Sequence, residues 1–384
     1  MKIIYAYEGD AENINVQSGR PYAVLRQLER LGHQVVRAFP LEQHWRYLFA
    51  WKYLPHRYQG SIYRPDREPL YLRSLARQVV RRTKHADADL IMAPGSHVLA
   101  HLETDLPVVY FADATFANVL DFYDSFENCA AEYVEQGHDQ EQRVLTRCAA
   151  AIFPSSWAAE SAVTAYAADP ERLHIVPFGS NLQPPAKDQA RTMVRNRASD
   201  RLNILFVGRD WHRKGGDIVL DACTDARRRG IPVELDIVGV AKLPYQTPSW
   251  TRVHGLLDKR ASDQLARLTT LFGQAHLLFV PSRAENYGMT FCEAAGFGVP
   301  ALTTAVGGIP TIVTHGKTGF TLPAHAEACA YADILADLYR SPERLVSLAN
   351  ACLDDYHARL NWDAFGDRLE AILGSLKQQP SKRN

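Results

Sequence analysis

Short apolar runs alternate with longer amphipathic stretches along most of the chain. Between the first two runs, apolar residues recur at 24, 25, 28 and 31, a helical period that ends at Gly32. Short strands separated by helices are typical of parallel sheets covered by helices. The predicted strands of the first half are residues 2–7, 34–39, 89–94, 107–113, 150–155 and 173–178.

A second series of apolar runs begins after a polar, proline-containing stretch, residues 179–200. We therefore predict an α/β chain of two doubly wound, Rossmann-like domains joined near residues 180–200. Residues 361–377 form an amphipathic helix with Asn361 as its N-cap, and the pattern alone assigns it to neither domain. The predicted strands of the second half are residues 203–208, 233–239, 277–282 and 300–304.

Composition narrows the classes of function. Lys and Arg together number 43, as do Asp and Glu, so no overall charge favours nucleic acid as a partner. The six cysteines are scattered without metal-ligand spacing, which suits buried thiols in a reducing compartment. The first residues show no signal-peptide core, and no run of 18 apolar residues occurs. We expect a cytoplasmic protein that at most touches the inner face of a membrane peripherally.

Two glutamates flank a glycine after the predicted strand at 277–282. That strand should end at the edge of its sheet where open α/β sheets bind ligands. Glu285 is then expected in the loop, and Glu293 inside a helix that starts near Gly288. Paired carboxylates accept hydrogen bonds from sugar-like hydroxyl groups, and a glycine-opened helix N-terminus favours phosphate. The alternative is a capped, buried helix with one solvated carboxylate.

A basic loop follows the first strand of the second half. Gly208 ends the strand, Arg209, Arg213 and Lys214 crowd the loop, and a helix opens at the glycines 215–216. A strand, a glycine, a basic loop and a helix in this order form a phosphate site in physical terms. The alternative is a solvated basic loop. Since both segments follow strands of one domain, we expect them to converge.

These segments resemble motifs of GT-B glycosyltransferases in family GT4. Residues 285–293 are similar to the E-x7-E motif of that family, and residues 208–217 to its Arg/Lys loop. Residues 18–35, 175–181 and 315–320 resemble its N-terminal glycine loop, its interdomain turn and its dG-x-tG element. The resemblance spans nearly the whole chain and is strongest from 203 to 323.

The resemblance implies a GT-B fold, in which two Rossmann-like domains face each other across a cleft. It assigns residues 1–180, with the final helix at 361–384, to an acceptor-binding domain. Residues 181–360 form the nucleotide-sugar-binding domain on the same basis. The implied reaction is transfer of a hexose from a UDP- or GDP-linked donor to an acceptor hydroxyl, with retention of configuration and without a metal or other cofactor.

The resemblance also assigns roles to individual residues. Arg209 and Lys214 would neutralise the diphosphate leaving group. Glu285 would bind hydroxyl groups of the donor sugar, and Glu293 those of the ribose. The other donor-binding positions, which would approach the ligand mainly through their backbone, are Gly19, Gly208, Asn286, Tyr287, Gly288, Met289 and Thr290.

The sequence departs from the family pattern at two positions. The histidine that is frequent after the fourth strand of the family aligns with Asp113, which could orient a hydroxyl group but cannot act as a histidine base. We place Asp113 among the catalytic residues on this basis. The first glycine of the usual Gly-Gly loop is Ser18, which leaves Gly19 alone for close approach to a ligand.

Three apparent motifs are rejected. A P-loop needs a glycine at position 311, which is Thr311, and a dinucleotide fingerprint at 296–301 fails at Ala301. Asp87 and Asp89 spell the D-x-D metal motif of GT-A enzymes, but they precede a strand and suit a solvated turn. We expect no metal site.

Residues 44–85 are dense in aromatic and basic side chains, and Arg73, Arg77 and Arg81 share one helical face. The functional interpretation is a peripheral contact with anionic lipid, or with a phosphorylated or lipid-linked acceptor. The alternative is a set of ordinary amphipathic helices with aromatic core faces.

The expected function is therefore glycosyl transfer to a carbohydrate or lipid-linked acceptor, in polysaccharide, lipopolysaccharide or glycolipid synthesis, without a nucleic-acid partner. One alternative is a GT-B relative that acts as a sugar phosphorylase or epimerase. Another is a non-catalytic protein that binds a nucleotide-sugar.

Overall fold

The computed structural model describes residues 1–243 and 246–378, and the chain divides into two compact units. Unit 1 comprises Met1–Pro177 together with the C-terminal helix from Phe365 onward, and unit 2 comprises Phe178–Ala364. The final helix, which the sequence pattern left unassigned, therefore belongs mainly to unit 1. Residues 379–384 of the predicted first domain lie outside the described residues.

Unit 1 is built on a six-stranded parallel sheet in the order β2-β1-β3-β4-β5-β6. Every residue of β3, β4 and β5 is buried, as expected for strands covered on both faces. The strands are β1 Lys2–Ala6, β2 Gln34–Ala38, β3 Leu90–Pro94, β4 Val108–Phe111, β5 Ala150–Phe153 and β6 Leu173–Ile175.

Unit 2 contains a second six-stranded parallel sheet, in the order β12-β11-β10-β7-β8-β9. The predicted strands are present, and two further short strands, β9 and β12, extend the sheet at its edges. The strands are β7 Leu202–Val207, β8 Val233–Val238, β9 Thr251–Val253, β10 Leu277–Val280, β11 Ala301–Thr304 and β12 Gly319–Leu322.

Helices connect the strands in both units. Those of unit 1 are α1 Arg20–Arg30, α2 Tyr53–Tyr58, α3 Pro69–Thr83, α4 Phe116–Val119, α5 Ala131–Arg147 and α6 Ser156–Tyr166. Those that follow are α7 Lys187–Arg195, α8 Gly216–Arg228, α9 Ser262–Gln274, α10 Met289–Gly296, α11 Ile309–Ile312, α12 Ala328–Arg340, α13 Pro342–Arg359 and α14 Trp362–Gln378. The predicted N-cap of α14 is confirmed, because Asn361 Oδ1 accepts a hydrogen bond of 2.8 Å from the N–H of Ala364.

Each sheet has a point where the strand order reverses. In unit 1 it lies between β1 and β3, and in unit 2 between β7 and β10. Successive helices leave opposite faces of the sheet at such a point, so a crevice opens outside the carboxyl ends of the two strands. The loops after β7 and β10 carry the basic and acidic residues singled out in the sequence.

Several smaller predictions can be compared with the structure. Cys148, Cys223, Cys292 and Cys352 are buried thiols as expected, whereas Cys329 is exposed. Asp87 and Asp89 are exposed residues ahead of β3, in agreement with a solvated turn. Within residues 1–243 and 246–378, no helix combines the length and apolar character needed to cross a bilayer.

Candidate functional site

Lys214 and Glu285 meet at the point of strand reversal in unit 2. The Lys214 ammonium group is in contact with Glu285 Oε2, and each side chain is only 12% exposed. Arg213 Nη1 lies 3.9 Å from the same carboxylate oxygen and donates a hydrogen bond of 2.8 Å to the carbonyl of Ala284. The loops after β7 and β10 thus form one charged cluster, as the sequence predicted.

Glycines allow these loops to pack so closely. A Cβ atom on Gly208 would lie 2.8 Å from Lys214 Cγ. Gly215 has a φ of +72°, and a Cβ atom there would lie 2.2 Å from the carbonyl oxygen of Pro281. A side chain at either position would therefore push the basic loop away from the carboxylate loop, and at Gly215 it would also strain the backbone.

The electrostatics of the Lys214 ammonium group are unusual. Burial lowers the pKa of Lys214 to about 7, and the neighbouring Arg213 cation contributes to that shift. The Asp210 carboxylate opposes the lowering of the Lys214 pKa, because an opposite charge favours the protonated form. A lysine in this state is a strong partner for an incoming anion, since little water competes for its charge.

The N-terminus of α10 opens on Gly288, whose φ is +93°. Within the described part of the chain, the N–H groups of Gly288, Met289 and Thr290 have no hydrogen-bond acceptor. The turn before this helix is held in place by a hydrogen bond of 3.1 Å, which the N–H of Gly308 donates to the carbonyl oxygen of Asn286. Free donors and the positive end of a helix dipole form a ready site for an anion.

Tyr287, a predicted donor-binding residue, turns its side chain into the core of unit 2. Its hydroxyl group donates a hydrogen bond of 2.9 Å to the carbonyl of Phe178, and the residue is 3% exposed. Only the backbone of Tyr287 can therefore take the donor-binding role that was predicted for this residue. The side chain instead anchors the loop that carries Glu285.

Glu293 lies inside α10 as predicted, is 3% exposed and is in contact with the Lys259 ammonium group. Lys259 belongs to the loop after β9 and was not predicted, because neither a motif nor its strand was recognised in the sequence. The adjacent Asp258 has a pKa lowered to about 2, mainly by hydrogen bonds from Arg260 and also by the Arg209 cation. Arg209 itself is exposed.

The predicted site residues of unit 2 therefore gather at one edge of its sheet. Lys214 contacts Glu285, and Glu293 lies about one helical turn beyond Gly288. The Arg209 cation acts on the loop that supplies the partner of Glu293. This edge combines cations, carboxylates and free backbone donors in the same small region.

Gly19 and Asp113 belong to unit 1. Arg20, the first residue of α1, forms an ion pair of 2.8 Å with Asp113, so the predicted carboxylate is held by a cation that was not predicted. Gly19 caps α1 with a φ of +78°, and Ser18 adopts a φ of +56°. The backbone at Ser18 therefore keeps the left-handed conformation that a glycine would adopt there.

Glu8 and His97 follow β1 and β3 and lie at the point of strand reversal in unit 1. Glu8 Oε1 lies 3.8 Å from His97 Nδ1. Burial raises the pKa of Glu8 to about 7 and lowers that of His97 to about 4. Sequence reasoning missed both residues, although their positions directly after predicted strands were a usable signal.

No group of three or more His, Cys, Asp or Glu residues in 1–243 and 246–378 is arranged for a metal ion.

Two family models match the chain. The model described as "Glycosyl transferases group 1" matches residues 189–352, and that described as "Glycosyltransferase Family 4" matches residues 21–183. Together they cover most of both units. The chain belongs to glycosyltransferase family 4. Its two Rossmann-like units agree with the predicted GT-B fold of this family.

Known relatives of this family 4 protein agree with the assignment. A D-inositol 3-phosphate glycosyltransferase of Segniliparus rotundus is 32% identical over 216 residues, which are 54% of this chain and 47% of the relative. The chain spans about half the length of the curated relatives it matches.

Solved structures support the fold. Sucrose-phosphate synthase of Thermosynechococcus elongatus has a TM-score of 0.67 at 18% identity, with 98% of each chain covered. HepE of Anabaena, solved with UDP-glucose, has a TM-score of 0.59 at 17% identity and covers 98% of this chain and 100% of its own. At these identities the likeness concerns the fold alone.

Proposed function

We propose that this family 4 protein transfers a hexose from a nucleoside-diphosphate sugar to an acceptor hydroxyl group, with retention of configuration. The observation that carries the proposal is the buried contact between Lys214 and Glu285 beside the open N-terminus of α10. The UDP-glucose complex of HepE supports a UDP-linked donor, and a GDP-linked donor is the second choice.

Lys214 and Arg209 supply the positive charge that the leaving diphosphate requires. The Lys214 ammonium group is in contact with Glu285. A diphosphate attracts the ammonium group more strongly than one carboxylate does, because it carries more charge. Its arrival releases Glu285 to accept hydrogen bonds from the donor sugar. Each cation contributes about 2.7–4 kcal/mol to lowering the barrier, by analogy with the loss of an oxyanion-hole donor.

The N-terminus of α10 binds the phosphates through backbone groups. The free N–H groups of Gly288, Met289 and Thr290 point out of the first helical turn, and Asn286 and Tyr287 extend this row of backbone. The helix dipole adds roughly 0.3–1 kcal/mol for an exposed anion and up to ~2 kcal/mol for a partly buried one. A side chain at Gly288 would meet the Phe291 ring at 2.6 Å, so glycine keeps this approach open.

Glu293 binds the ribose of the nucleotide. Its carboxylate accepts hydrogen bonds from vicinal hydroxyl groups, and its contact with Lys259 compensates its buried charge. The Glu293 and Glu285 carboxylates thus hold the two carbohydrate ends of the donor, while the helix N-terminus holds the phosphates between them.

The proposal includes neither a metal nor another cofactor, because Arg209 and Lys214 provide the positive charge that a metal supplies in other glycosyltransferases. Unit 1 binds the acceptor, which is a carbohydrate or a lipid-linked molecule. In unit 1, the Asp113 carboxylate held by Arg20 orients the acceptor hydroxyl group. The biological setting is the synthesis of a polysaccharide, lipopolysaccharide or glycolipid.

The test measures donor binding and turnover separately. A thermal-shift series with UDP, GDP and ADP identifies the base, since a nucleotide that binds the folded state raises Tm with the logarithm of its concentration over Kd. Incubation with the matching nucleotide-sugars, with and without inorganic phosphate, then identifies the reaction. Release of the nucleoside diphosphate independently of phosphate supports the transferase. Phosphate-dependent release of sugar 1-phosphate, epimerised donor, or binding without turnover each contradicts it.

A further inference from the structure

A cavity of about 310 Å³ lies in unit 1 against the outer face of α3. Its lining includes Arg73, Arg77 and Arg81 of that helix together with Ser74, Leu70 and Trp45. Trp45 belongs to the segment that follows β2 and contacts α3. This cavity is separate from the residues to which the transferase reaction is assigned.

The cavity is held open by specific hydrogen bonds. Gln78 of α3 is 7% exposed, and its Oε1 atom accepts a hydrogen bond of 2.8 Å from the N–H of Glu42. Its Nε2 atom donates one of 2.9 Å to the carbonyl oxygen of Glu42. Farther along the helix, Arg82 donates to the carbonyl of Pro40 at 2.6 Å. The wall of the cavity is therefore fixed to the helix by three bonds.

The lining presents donors that lack acceptors. Arg73, Arg77 and Arg81 are exposed, and none of them forms a hydrogen bond or an ion pair with any described residue. The Ser74 hydroxyl oxygen is buried and has no partner within residues 1–243 and 246–378. One carboxylate, that of Glu42, also lines the cavity, and it lies 3.8 Å from His44. The balance of charge favours a multiply hydrogen-bonding anion such as a phosphate group.

The segment next to the cavity is apolar and exposed. It forms a 3-10 helix, His44–Lys52, that continues into α2, and neither element contains a buried residue. Trp51 is 67% exposed, Leu54 69% and Tyr58 95%. The expectation of aromatic core faces is therefore wrong for this segment. An exposed patch of large apolar side chains marks an interaction surface.

Charge and apolar surface coincide here. Residues 43–65 and 69–86 contain no Asp or Glu, although the whole chain has equal numbers of acidic and basic residues. Basic side chains beside exposed Trp, Tyr and Leu are the composition of segments that lie in the interface of an anionic bilayer. A soluble phosphate compound would require the basic cavity but would give no reason for the aromatic side chains around it.

We propose that this surface docks the protein on an anionic lipid bilayer. A lipid phosphate occupies the cavity between Arg73, Arg77, Arg81 and Ser74, and the aromatic side chains of residues 45–58 enter the interfacial layer. The docking is independent of the transferase activity, because it uses none of the residues assigned to the donor. It brings the enzyme to the surface where lipid-borne hydroxyl acceptors reside.

The test measures binding of the full chain to vesicles by flotation, without any nucleotide-sugar. We expect binding to vesicles of equal parts phosphatidylcholine and phosphatidylglycerol, and little binding to phosphatidylcholine alone. The triple variant Arg73→Gln, Arg77→Gln, Arg81→Gln should bind about 100-fold more weakly, since each basic residue near the surface contributes roughly 1 kcal/mol. The matched control, Arg195→Gln, Arg228→Gln, Arg340→Gln, removes three exposed arginines of unit 2 and should bind like the parent.

A second variant tests the apolar part of the surface. Brominated lipids should quench tryptophan emission in the parent protein and much less in the double variant Trp45→Phe, Trp51→Phe. Equal binding to neutral and anionic vesicles, or undiminished binding by the triple arginine variant, would overturn the proposal. It would also be overturned if 10 mM inorganic phosphate at constant ionic strength raised the Tm of the protein while anionic vesicles did not bind it, which indicates a soluble ligand. If the parent protein forms a dimer and the double tryptophan variant does not, the surface binds a second copy of the chain. That result would also overturn the proposal.

Discussion

Two groups of cations in this molecule differ in how their charge is balanced. In unit 2, Lys214 and Lys259 contact the carboxylates of Glu285 and Glu293, and the two acids are mostly buried. In unit 1, the arginines along the exposed face of α3 have no acidic partner among the described residues. The first group is neutralised within the protein, and the second is left for an external charge.

The two groups of cations should therefore recognise different partners. A ligand of the paired lysines must replace a carboxylate already in place, so only an anion of the right shape and charge gains free energy by binding. The unpaired arginines attract any anionic surface over a distance of about 8 Å in physiological salt, and this attraction weakens as salt is added. Raising NaCl from 50 to 300 mM should therefore release the protein from vesicles and leave donor affinity nearly unchanged.

The strongest effect should come from the two cations assigned to the diphosphate, Lys214 of the paired group and the exposed Arg209. Lys214→Ala and Arg209→Ala should each lower kcat by 100-fold or more, because each removes a charge that stabilises the leaving diphosphate. Steady-state kinetics with the preferred nucleotide-sugar measures the loss. Arg228→Ala, at the exposed end of α8, serves as the control and should leave kcat unchanged. Undiminished turnover in both site variants would exclude the leaving-group role, and vesicle binding should remain intact in either case.

The next effect concerns affinity for the nucleotide. Glu293→Gln should raise the Kd for the nucleoside diphosphate about tenfold or more, because hydrogen bonds to a charged group contribute roughly 1.5–3 kcal/mol. Calorimetry measures the change, and a thermal melt of the variant checks that the loss of a buried charge has not unfolded unit 2. An unchanged Kd in a folded variant would show that the ribose assignment is wrong.

A smaller effect is expected from pH. Since the pKa of Lys214 is lowered to about 7, its ammonium group loses its charge as pH rises through that value. kcat/KM for the donor, which reports the free enzyme, should fall about fivefold between pH 7 and 8. Lys214→Arg keeps its charge over this range, so whatever activity it retains should show no such decline. An identical decline in parent and variant would assign the titration to another group.

Removal of divalent metal ions should not change the activity. Activity should survive dialysis against EDTA, because in the proposed mechanism Arg209 and Lys214 balance the charge of the diphosphate. Turnover is measured before and after dialysis and again with added Mn²⁺ or Mg²⁺. Loss of activity that a divalent metal restores would contradict the metal-free mechanism and would require carboxylates of the site to act as ligands.

The sequence was informative where local pattern alone decides structure. The apolar runs predicted ten of the twelve strands, since buried parallel strands consist of continuous apolar residues. β9 and β12 were missed because they are short edge strands, and Thr251–Val253 is largely exposed. Lys259 was missed with β9, because a residue in an unrecognised loop cannot be placed at the site.

The apolar pattern was enough to place Gly208, Lys214, Glu285 and Gly288 after buried strands, and such positions converge because parallel strands share one carboxyl edge. Packing between distant segments places Lys214 against Glu285 and turns the Tyr287 side chain inward. It also leaves the aromatic side chains of 45–58 exposed and fixes a cavity beside them through Gln78. These outcomes depend on contacts between residues far apart in the chain, whereas hydrophobic periodicity describes only near neighbours.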